Sequence, residues 1–397
     1  MALGSLFDLP FFEPKHVAVR EHVAAWLDQE PNIDHHDEAE TWPQSRRFAE
    51  SQGRFGLLNY LMPAYADGPD AQVDVRSICI VRDALTYRSA LADSALIVQG
   101  IVGAPICRSG SDKLRRMYLD DIRGGKLVPA FALSEPGGGS DVAATRTTAT
   151  RDGDEYIISG TKTWTSNAGV ADLYLVIART GEAPGAKGLS GFIVDADMPG
   201  FSVGDPIYTS APHPMATTHF DEVRVPAWRM VGNPGDGFSL AMQTLDIFRS
   251  TVGAASLGLA RRAMDETLAR IANRKLFGRL MADMETIHMK LADMTVDLES
   301  AALATYRGAW AKDHSGGRRT TVESSIAKLV GSEAAYRVVD EAVQLFGGMG
   351  VTRGCVVEHL FRDIRAMRIY EGASEVQRTI IGRAVANDAK TRYTTGE

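Results

Sequence analysis

The sequence predicts an α+β protein of several domains, in which a helical part, a β part and a second helical part follow one another. Three observations predict it. Up to about Leu127 apolar residues recur three or four positions apart, from Val128 β-branched runs bounded by Gly, Pro and Asp take over, and beyond Gly237 long helical stripes return. Helices and strands are segregated and do not alternate as βαβ units, which excludes a doubly wound nucleotide fold as the organising principle. The expected domains are residues 1–127, 128–234 and 235–397, and 397 residues are more than one small core needs.

Each part has its own local signals. In the first, "HVAVREHVAAWLDQ" and "DKLRRMYLDDIRGG" carry helical periodicity, and the second stops at glycines. In the second, "ATRTTATRDGDEYIISG" flanks an Asp152-Gly153 hairpin signal, and "DLYLVIART" and "GLSGFIVDAD" read as strands. The short "RTGEAPGAKG" between them reads as a surface loop. In the third, Ile287, Leu291, Met294, Leu298, Ala302, Tyr306 and Trp310 step along one helix face. The run "ESSIAKLVGSEAAYRVVDEAVQLFGG" does the same, and such stripes pack as an antiparallel bundle.

Composition narrows the function classes. Hydrophobic residues make up 45% and charged residues 23%, the balance of a globular chain. A net charge of −7 with no Lys/Arg run longer than two argues against nucleic acid as a partner. Cys79, Cys107 and Cys355 are odd in number and widely spaced without CxxC, so neither a disulfide framework nor a zinc site is expected. No basic stretch precedes a long apolar N-terminal segment, and no run approaches about 18 uninterrupted apolar residues. The expectation is a soluble, cytoplasmic protein with no membrane partner.

Four stretches carry the chemistry. "ALSEPGGGSD", Ala132 to Asp141, follows an apolar strand-like run, and consecutive glycines let backbone N–H groups approach a flat ring or a phosphate; the same residues also make an ordinary turn. No Gly-Lys-Ser/Thr follows, so it is not a P-loop. "GTKTWTSNAG" places Trp164 two residues before Ser166; an indole in a strand is core or the wall of a planar ligand. "QLFGGMG" reads as a helix C-cap, and with Arg353 in place of the last glycine it fails the dinucleotide pattern. "RIYEGASEVQR" puts Glu371 between an aromatic and a glycine ahead of a helical run, where an acid either favours the helix dipole or is held as a base. The histidines show no metal spacing beyond the His35-His36 pair, and GxSxG, HExxH and EF-hand patterns do not occur, so no metal site is expected.

Taken together and in this order, "ALSEPGGGSDVAA", "GTKTWTSN", "LDIFR", "NRKLFG", "QLFGGMG" and "RIYEGASEVQR" resemble the acyl-CoA dehydrogenase family of flavoproteins over nearly the whole chain. The resemblance implies an N-terminal helical domain, a middle β-barrel-like domain and a C-terminal four-helix bundle. It also implies FAD lying between the β domain and the bundle, completed by a neighbouring subunit of a homotetramer or homodimer. Phe131, Leu133, Ser134 and Ser140 would line the isoalloxazine and pyrophosphate, with Ser140 also near the CoA moiety. Trp164 would cover the flavin ring and Ser166 contact its N5. Arg274, Phe277, Gln344, Gly347 and Gly348 would reach the pyrophosphate and adenosine of the neighbouring subunit's FAD, and Glu375 would also stand on the cofactor side. Asp246 and Arg249 match positions near the substrate thioester, with Gly372 beside it. Glu371 matches the catalytic base, and Phe248 occupies the position from which some relatives draw theirs.

The implied reaction is α,β-dehydrogenation of an acyl-CoA to the trans-2-enoyl-CoA. Glu371 would remove the α-proton while the flavin takes the β-hydride, and the Glu371 N–H would help hold the thioester oxygen. Apolar surroundings, Tyr370 among them, are expected to raise the basicity of Glu371. Electron-transfer flavoprotein is the implied electron acceptor. Gly354, His359, Ala373 and Glu285 depart from the family pattern at positions on the cofactor side, and none of them removes the base. The alternatives are a flavin oxidase or monooxygenase on the same fold, against which Glu371 discriminates, and a catalytically silent acyl-CoA-binding subunit. Gly100, Gly103 and Ala104 in "SALIVQGIVGAPICRSG" either serve helix packing or leave room for a branched, cyclic or bulky acyl chain, and Arg108 is either a surface residue or a partner for a dicarboxylic substrate.

Overall fold

A computed structural model describes residues 7–30, 33 and 38–393; the His35-His36 pair lies outside them. The helices are α1 (Pro14–Gln29), α2 (Thr41–Phe55), α3 (Val75–Arg88), α4 (Ala90–Ser109) and α5 (Asp112–Arg123), then α6 (Gly237–Asn273), α7 (Glu285–Asp313), α8 (Thr321–Phe346), α9 (Val356–Met367) and α10 (Ser374–Tyr393). Between the two sets run β1 (Pro129–Ala132), β2 (Thr148–Asp152), β3 (Glu155–Ser166), β4 (Leu173–Arg179), β5 (Leu189–Asp195), β6 (Phe201–Pro206), β7 (Met215–Pro226) and β8 (Met230–Val231). A two-stranded hairpin, β9 (Lys275–Leu276) and β10 (Arg279–Leu280), follows α6.

The order helix, sheet, helix is therefore present, but the chain divides into two compact units that cross it. One comprises the stretch to Asp28, Val75–Ala90 and Asp246–Glu397; the other comprises Gln29–Asp74 and Leu91–Leu245. The first helices are shared because their polar residues are spent in different places. Asp83 on α3 takes Arg261 Nη2 of α6 at 2.5 Å and Tyr306 Oη of α7 at 3.1 Å. Gly258 on α6 allows that approach, since a Cβ there would stand 2.2 Å from the Asp83 carbonyl oxygen. Arg76, also on α3, donates to Asp313 at the end of α7.

In the other unit one mostly antiparallel sheet runs β6-β7-β3-β2-β4-β5-β8, with β1 pairing parallel to β4. The Asp152-Gly153 signal is the β2–β3 hairpin, with Asp152 opposite Glu155 and Gly153 at φ +62°. Alternate residues build the core: Tyr156 and Ile158 of β3, Tyr174 and Val176 of β4, Phe192 and Val194 of β5, and Val223 and Val225 of β7. To this unit belongs nearly all of α4, the one helix among the described residues with the length and composition to cross a membrane, at a mean hydropathy of 1.6. It is a core helix here, with 83% of that window buried. Its Gly103 makes room for Met62, whose Sδ would stand 2.3 Å from an added Cβ, so that glycine answers to packing and not to a ligand.

In the helical unit the α7 stripe packs as expected at Ile287, Met294, Leu298, Ala302 and Tyr306, while Leu291 is half-buried and Trp310 lies exposed. On its outer face Met289, Val296, Leu303 and Trp310 form an exposed row. The paired glycines after Phe346 end α8, with Gly347 at φ +63°.

Candidate active site

In the sheet unit the glycine-rich loop leaves the end of β1 and is held by a buried ion pair. Glu135 accepts the backbone N–H groups of Arg146 and Thr147 at 2.8 and 2.9 Å, and Lys162 Nζ at 2.9 Å. Lys162, fully buried on β3, also donates to the Leu133 carbonyl oxygen at 3.0 Å. Burial works against ionising Glu135, but the hydrogen bonds from Thr147, Lys162 and Arg146 outweigh it and hold its carboxyl at about 2. Burial pulls Lys162 down to about 8 against the attraction of Glu135. The two directions oppose each other within one pair; the donors around Glu135 make the ionised pair the state we assign.

This clasp sets the edge of the site. The Thr163 N–H reaches the Ser134 carbonyl oxygen at 2.9 Å, so Leu133 and Ser134 lie alongside the last residues of β3. Phe131, Leu133 and Ser134 are partly buried there, and Ser140 is exposed beyond the turn closed by Glu135 and Gly138. An added Cβ at Gly137 or Gly138 would meet nothing within 4 Å, so the protein's own packing does not require those glycines.

Trp164 shows what sequence alternation misses. It shares the phase of Tyr156, Ile158 and Lys162, all buried, yet it is 58% exposed. The register with β7 shifts between Lys162 and Thr165, and this bulge places Trp164 at φ +56° and turns its ring outward. A bulky residue held in the left-handed region is strained, and such strain collects at functional sites. Ser166, two residues on, meets His213 Nε2 at 2.8 Å, and His213 Nδ1 meets Ser94 Oγ at 2.9 Å. Burial pushes His213 down to about 4, which keeps the ring neutral. An outward indole, a serine hydroxyl fixed by a neutral histidine, and an open glycine backbone fit a flat ring carrying an anionic tail, as FAD does. Arg108, at the end of α4, is only half-buried; its Nε and Nη2 are buried and have no hydrogen-bond partner among the described residues.

In the helical unit Glu371 lies in the turn between α9 and α10, at φ +53° and beside Gly372 at φ +97°. Gln377, fully buried on α10, donates to the Gly372 carbonyl oxygen at 2.9 Å, and a Cβ at position 372 would stand 2.4 Å from its Nε2. Arg368 anchors the other end by bonding Glu333 of α8 and lying over the Tyr336 ring at 4.6 Å. Ser374 begins α10, and its hydroxyl donates to Glu333 and so helps hold the turn.

The surroundings of Glu371 differ from the apolar nest expected. Tyr370 is 36% exposed, and two buried cations act electrostatically on the carboxylate: Arg249 of α6 and Lys328 of α8. Burial lowers Arg249, while Asp246 and Glu371 pull it back up. Asp246 is committed to structure, accepting Arg249 at 3.2 Å, Thr321 Oγ1 at 2.8 Å and Arg319 at 3.2 Å. Lys328 had no place in the sequence reading. Its signal was present, since it falls on the buried face of α8 with Ser324, Gly331 and Ala335, an apolar-stripe position where lysine is out of place.

The remaining site residues gather at another part of the same unit. Phe277, at the tip of the β9–β10 hairpin, is 97% exposed at φ +49°. Arg274, Gln344, Gly347 and Gly348 are exposed, and Arg270, one turn before Arg274, donates to the Phe346 carbonyl oxygen at 2.9 Å, tying the end of α6 to the end of α8. Glu375 is exposed in the first turn of α10. Of the departures from the family pattern, His359 pairs with Asp363 at 3.1 Å within α9, Glu285 is exposed at the start of α7, and Gly354 turns the chain at φ +89°.

A strained, outward aromatic on the sheet and a carboxylate held in a strained turn each mark a functional site, and the open glycine backbone beside the first fits a flat organic cofactor. Residues 13–126, 130–223 and 235–386 match, in turn, the acyl-CoA dehydrogenase N-terminal, middle and C-terminal domains. The chain belongs to the acyl-CoA dehydrogenase family and is an oxidoreductase of it; the family is FAD-dependent. It is 38% identical to the cyclohexane-1-carbonyl-CoA dehydrogenase of Geobacter metallireducens over 84% of this chain and 87% of that one. Butyryl-CoA dehydrogenase of Megasphaera elsdenii superposes with a TM-score of 0.86 at 30% identity, covering 94% and 99% of the two chains. A glutaryl-CoA dehydrogenase of Mycobacterium smegmatis in complex with FADH2 gives 0.86 at 26% identity, covering 96% and 97%.

Proposed function

We propose that this chain binds FAD and oxidises an acyl-CoA thioester to the trans-2-enoyl-CoA, with Glu371 as the base. Bound FAD supplies the hydride acceptor. Glu371 takes the α-proton onto its carboxylate, and the electron pair of that C–H bond forms the new double bond as the β-hydride departs. Its turn is braced by Gln377 and by the Arg368–Glu333 pair, so the carboxylate is positioned before substrate arrives. Gly372 gives the backbone its bend, and the adjoining Glu371 N–H is the donor for the thioester oxygen. Phe131, Leu133, Ser134, Ser140, Trp164 and Ser166 serve the flavin and its phosphates. Asp246 holds Arg249, and Arg249 counters the charge of the base.

The observation that carries this reading is Glu371 itself, a carboxylate in a braced, left-handed turn facing two buried cations. Glu371→Gln is expected to purify yellow and bind acyl-CoA, with anaerobic flavin bleaching slowed by orders of magnitude. Bleaching at the wild-type rate would overturn the assignment.

We extend the reading to a branched or cyclic acyl group, supported by the name of the Geobacter relative; Gly100 and Ala104 are small buried residues of α4, and Gly103 is set aside because Met62 fills its space. Fast bleaching by a straight-chain acyl-CoA, with slow bleaching by cyclic ones, would end that extension. Electron-transfer flavoprotein as acceptor and a cytoplasmic location, in line with three free thiols, complete the proposal. So does a homotetramer or homodimer in which Arg274, Phe277, Gln344, Gly347, Gly348 and Glu375 serve a neighbouring copy's FAD. The fully exposed Phe277 and the row Met289, Val296, Leu303 and Trp310 support the oligomer. Sedimentation of the holoenzyme as a monomer would refute it.

A further inference from the structure

The mechanism uses one carboxylate and leaves a buried lysine unexplained. Lys328 is fully buried in the middle of α8, and its Nζ has no hydrogen-bond partner among the described residues. An ammonium group without an acceptor is among the costliest things to bury, and a chain keeps one where its charge does something. Lys162, equally buried, is explained by its bonds to Glu135 and Leu133. No such structural purpose accounts for Lys328.

Its surroundings suggest the purpose. Four charges act on it: Glu371 most strongly, then Glu333, Arg249 and Glu375. Glu333 is already bonded to Arg368 and Ser374, and Glu375 is exposed with Arg378 nearby at 3.9 Å. Arg249 is a like charge, itself paired to Asp246. Glu371 is therefore the charge that Lys328 is left to serve.

We propose that Lys328 is a positioning residue for Glu371, a buried cation that keeps the base ionised and ready at neutral pH. The proposal rests on Glu371 being the base. When Glu371 accepts the substrate proton it passes from a negative to a neutral group. A fixed positive neighbour therefore stabilises the state before transfer and lowers the pH at which the free base protonates. The same charge makes the base weaker once it is ionised. Burial pulls Lys328 down to about 8, so it carries its charge at neutral pH and loses it not far above.

The test is the pH dependence of flavin reduction by acyl-CoA in single turnovers of the FAD-loaded enzyme, for wild type, K328M, K328Q and K328R. In K328M and K328Q the acid limb should move up by about one pH unit or more, the shift that losing a nearby opposite charge produces. The rate should recover to at least the wild-type value at the alkaline end. K328R, which keeps the charge, should hold the wild-type acid limb and lose the inflection near pH 8, because arginine does not titrate there. Affinity for a non-reactive acyl-CoA analogue should be unchanged in all three. A purely structural lysine would instead give profiles lowered evenly at every pH, and that result overturns the proposal. If neither neutral variant folds, K328R decides alone, since survival of the inflection in it is fatal. Glu371→Gln separates the two readings: if it reduces flavin normally the dehydrogenase assignment fails, and if it is inert while K328M merely scales the profile, only the role of Lys328 fails.

Discussion

Lys162 and Lys328 are both fully buried, both sit on regular elements, and burial brings both down to about 8. They differ in what their ammonium groups touch. Lys162 lies 2.9 Å from a carboxylate and 3.0 Å from a carbonyl oxygen, whereas Lys328 has charged neighbours and no hydrogen-bond partner among the described residues. Burial and basicity therefore do not by themselves mark a functional lysine. The bonded one is a clasp that holds a loop, and the one whose charge is left unspent is available to a reaction.

The contrast is broken most directly by removing each charge in turn. K162M leaves Glu135 buried without its counter-ion and should cost about 3–5 kcal/mol in chemical denaturation, with FAD released as the glycine loop loosens. K328M removes a charge that nothing bonds, so its stability should stay within about 1 kcal/mol of wild type or rise. Equal losses from the two variants would mean that Lys328 is a clasp as well.

A second, smaller effect concerns acid. The folded-state value of Glu135 is about 2, below its ordinary 4.5, so its contribution to stability is present above pH 4.5 and is lost as pH falls through about 2. Lys328 runs on the other side of neutrality: its value of about 8 lies below an ordinary 10.5, so stability linked to it rises from pH 8 toward 10.5. Denaturation midpoints across pH should show E135Q lacking part of the acid loss and K328M lacking part of the alkaline gain. An acid loss identical in E135Q and wild type would remove Glu135 from the clasp.

The sequence disclosed these two sites unequally, for physical reasons. The glycine loop and the Tyr-Glu-Gly turn were legible because they spend unusual residues at fixed spacing, and in the turn Gly372 at φ +97° occupies a backbone position that narrows the choice of residue. Helices α1, α5, α7 and α8, with β4, β5 and the β2–β3 hairpin, were legible from periodicity and turn chemistry. What periodicity could not give was the β3 bulge, since one shifted register turns Trp164 from the core phase to the outside. Nor could it give the charge partners. Glu135, Lys162, Arg249 and Lys328 are joined by packing between segments distant in sequence, and a lysine on an apolar stripe was the single local hint. The two compact units were equally hidden, because the polar contacts of α3 that tie it to α6 and α7 leave no periodic trace.

The smallest effect tests how the clasp is used. Each buried lysine has a residue in the left-handed region close to it in chain or in charge: Trp164, two residues beyond Lys162, and Glu371, whose charge acts on Lys328. If the clasp is what holds the β3 bulge, the strain at position 164 belongs to the backbone and not to the indole. Ordinarily glycine inside a strand is worse than alanine by about 0.5–1 kcal/mol. At φ +56° the order should reverse, with W164G about 1 kcal/mol more stable than W164A, because only glycine occupies that region without penalty. Both variants should lose flavin affinity alike. In a K162M background the advantage of glycine should shrink toward zero as the bulge relaxes, and a full advantage there would show that the pairing with β7 imposes the bulge without help from Lys162.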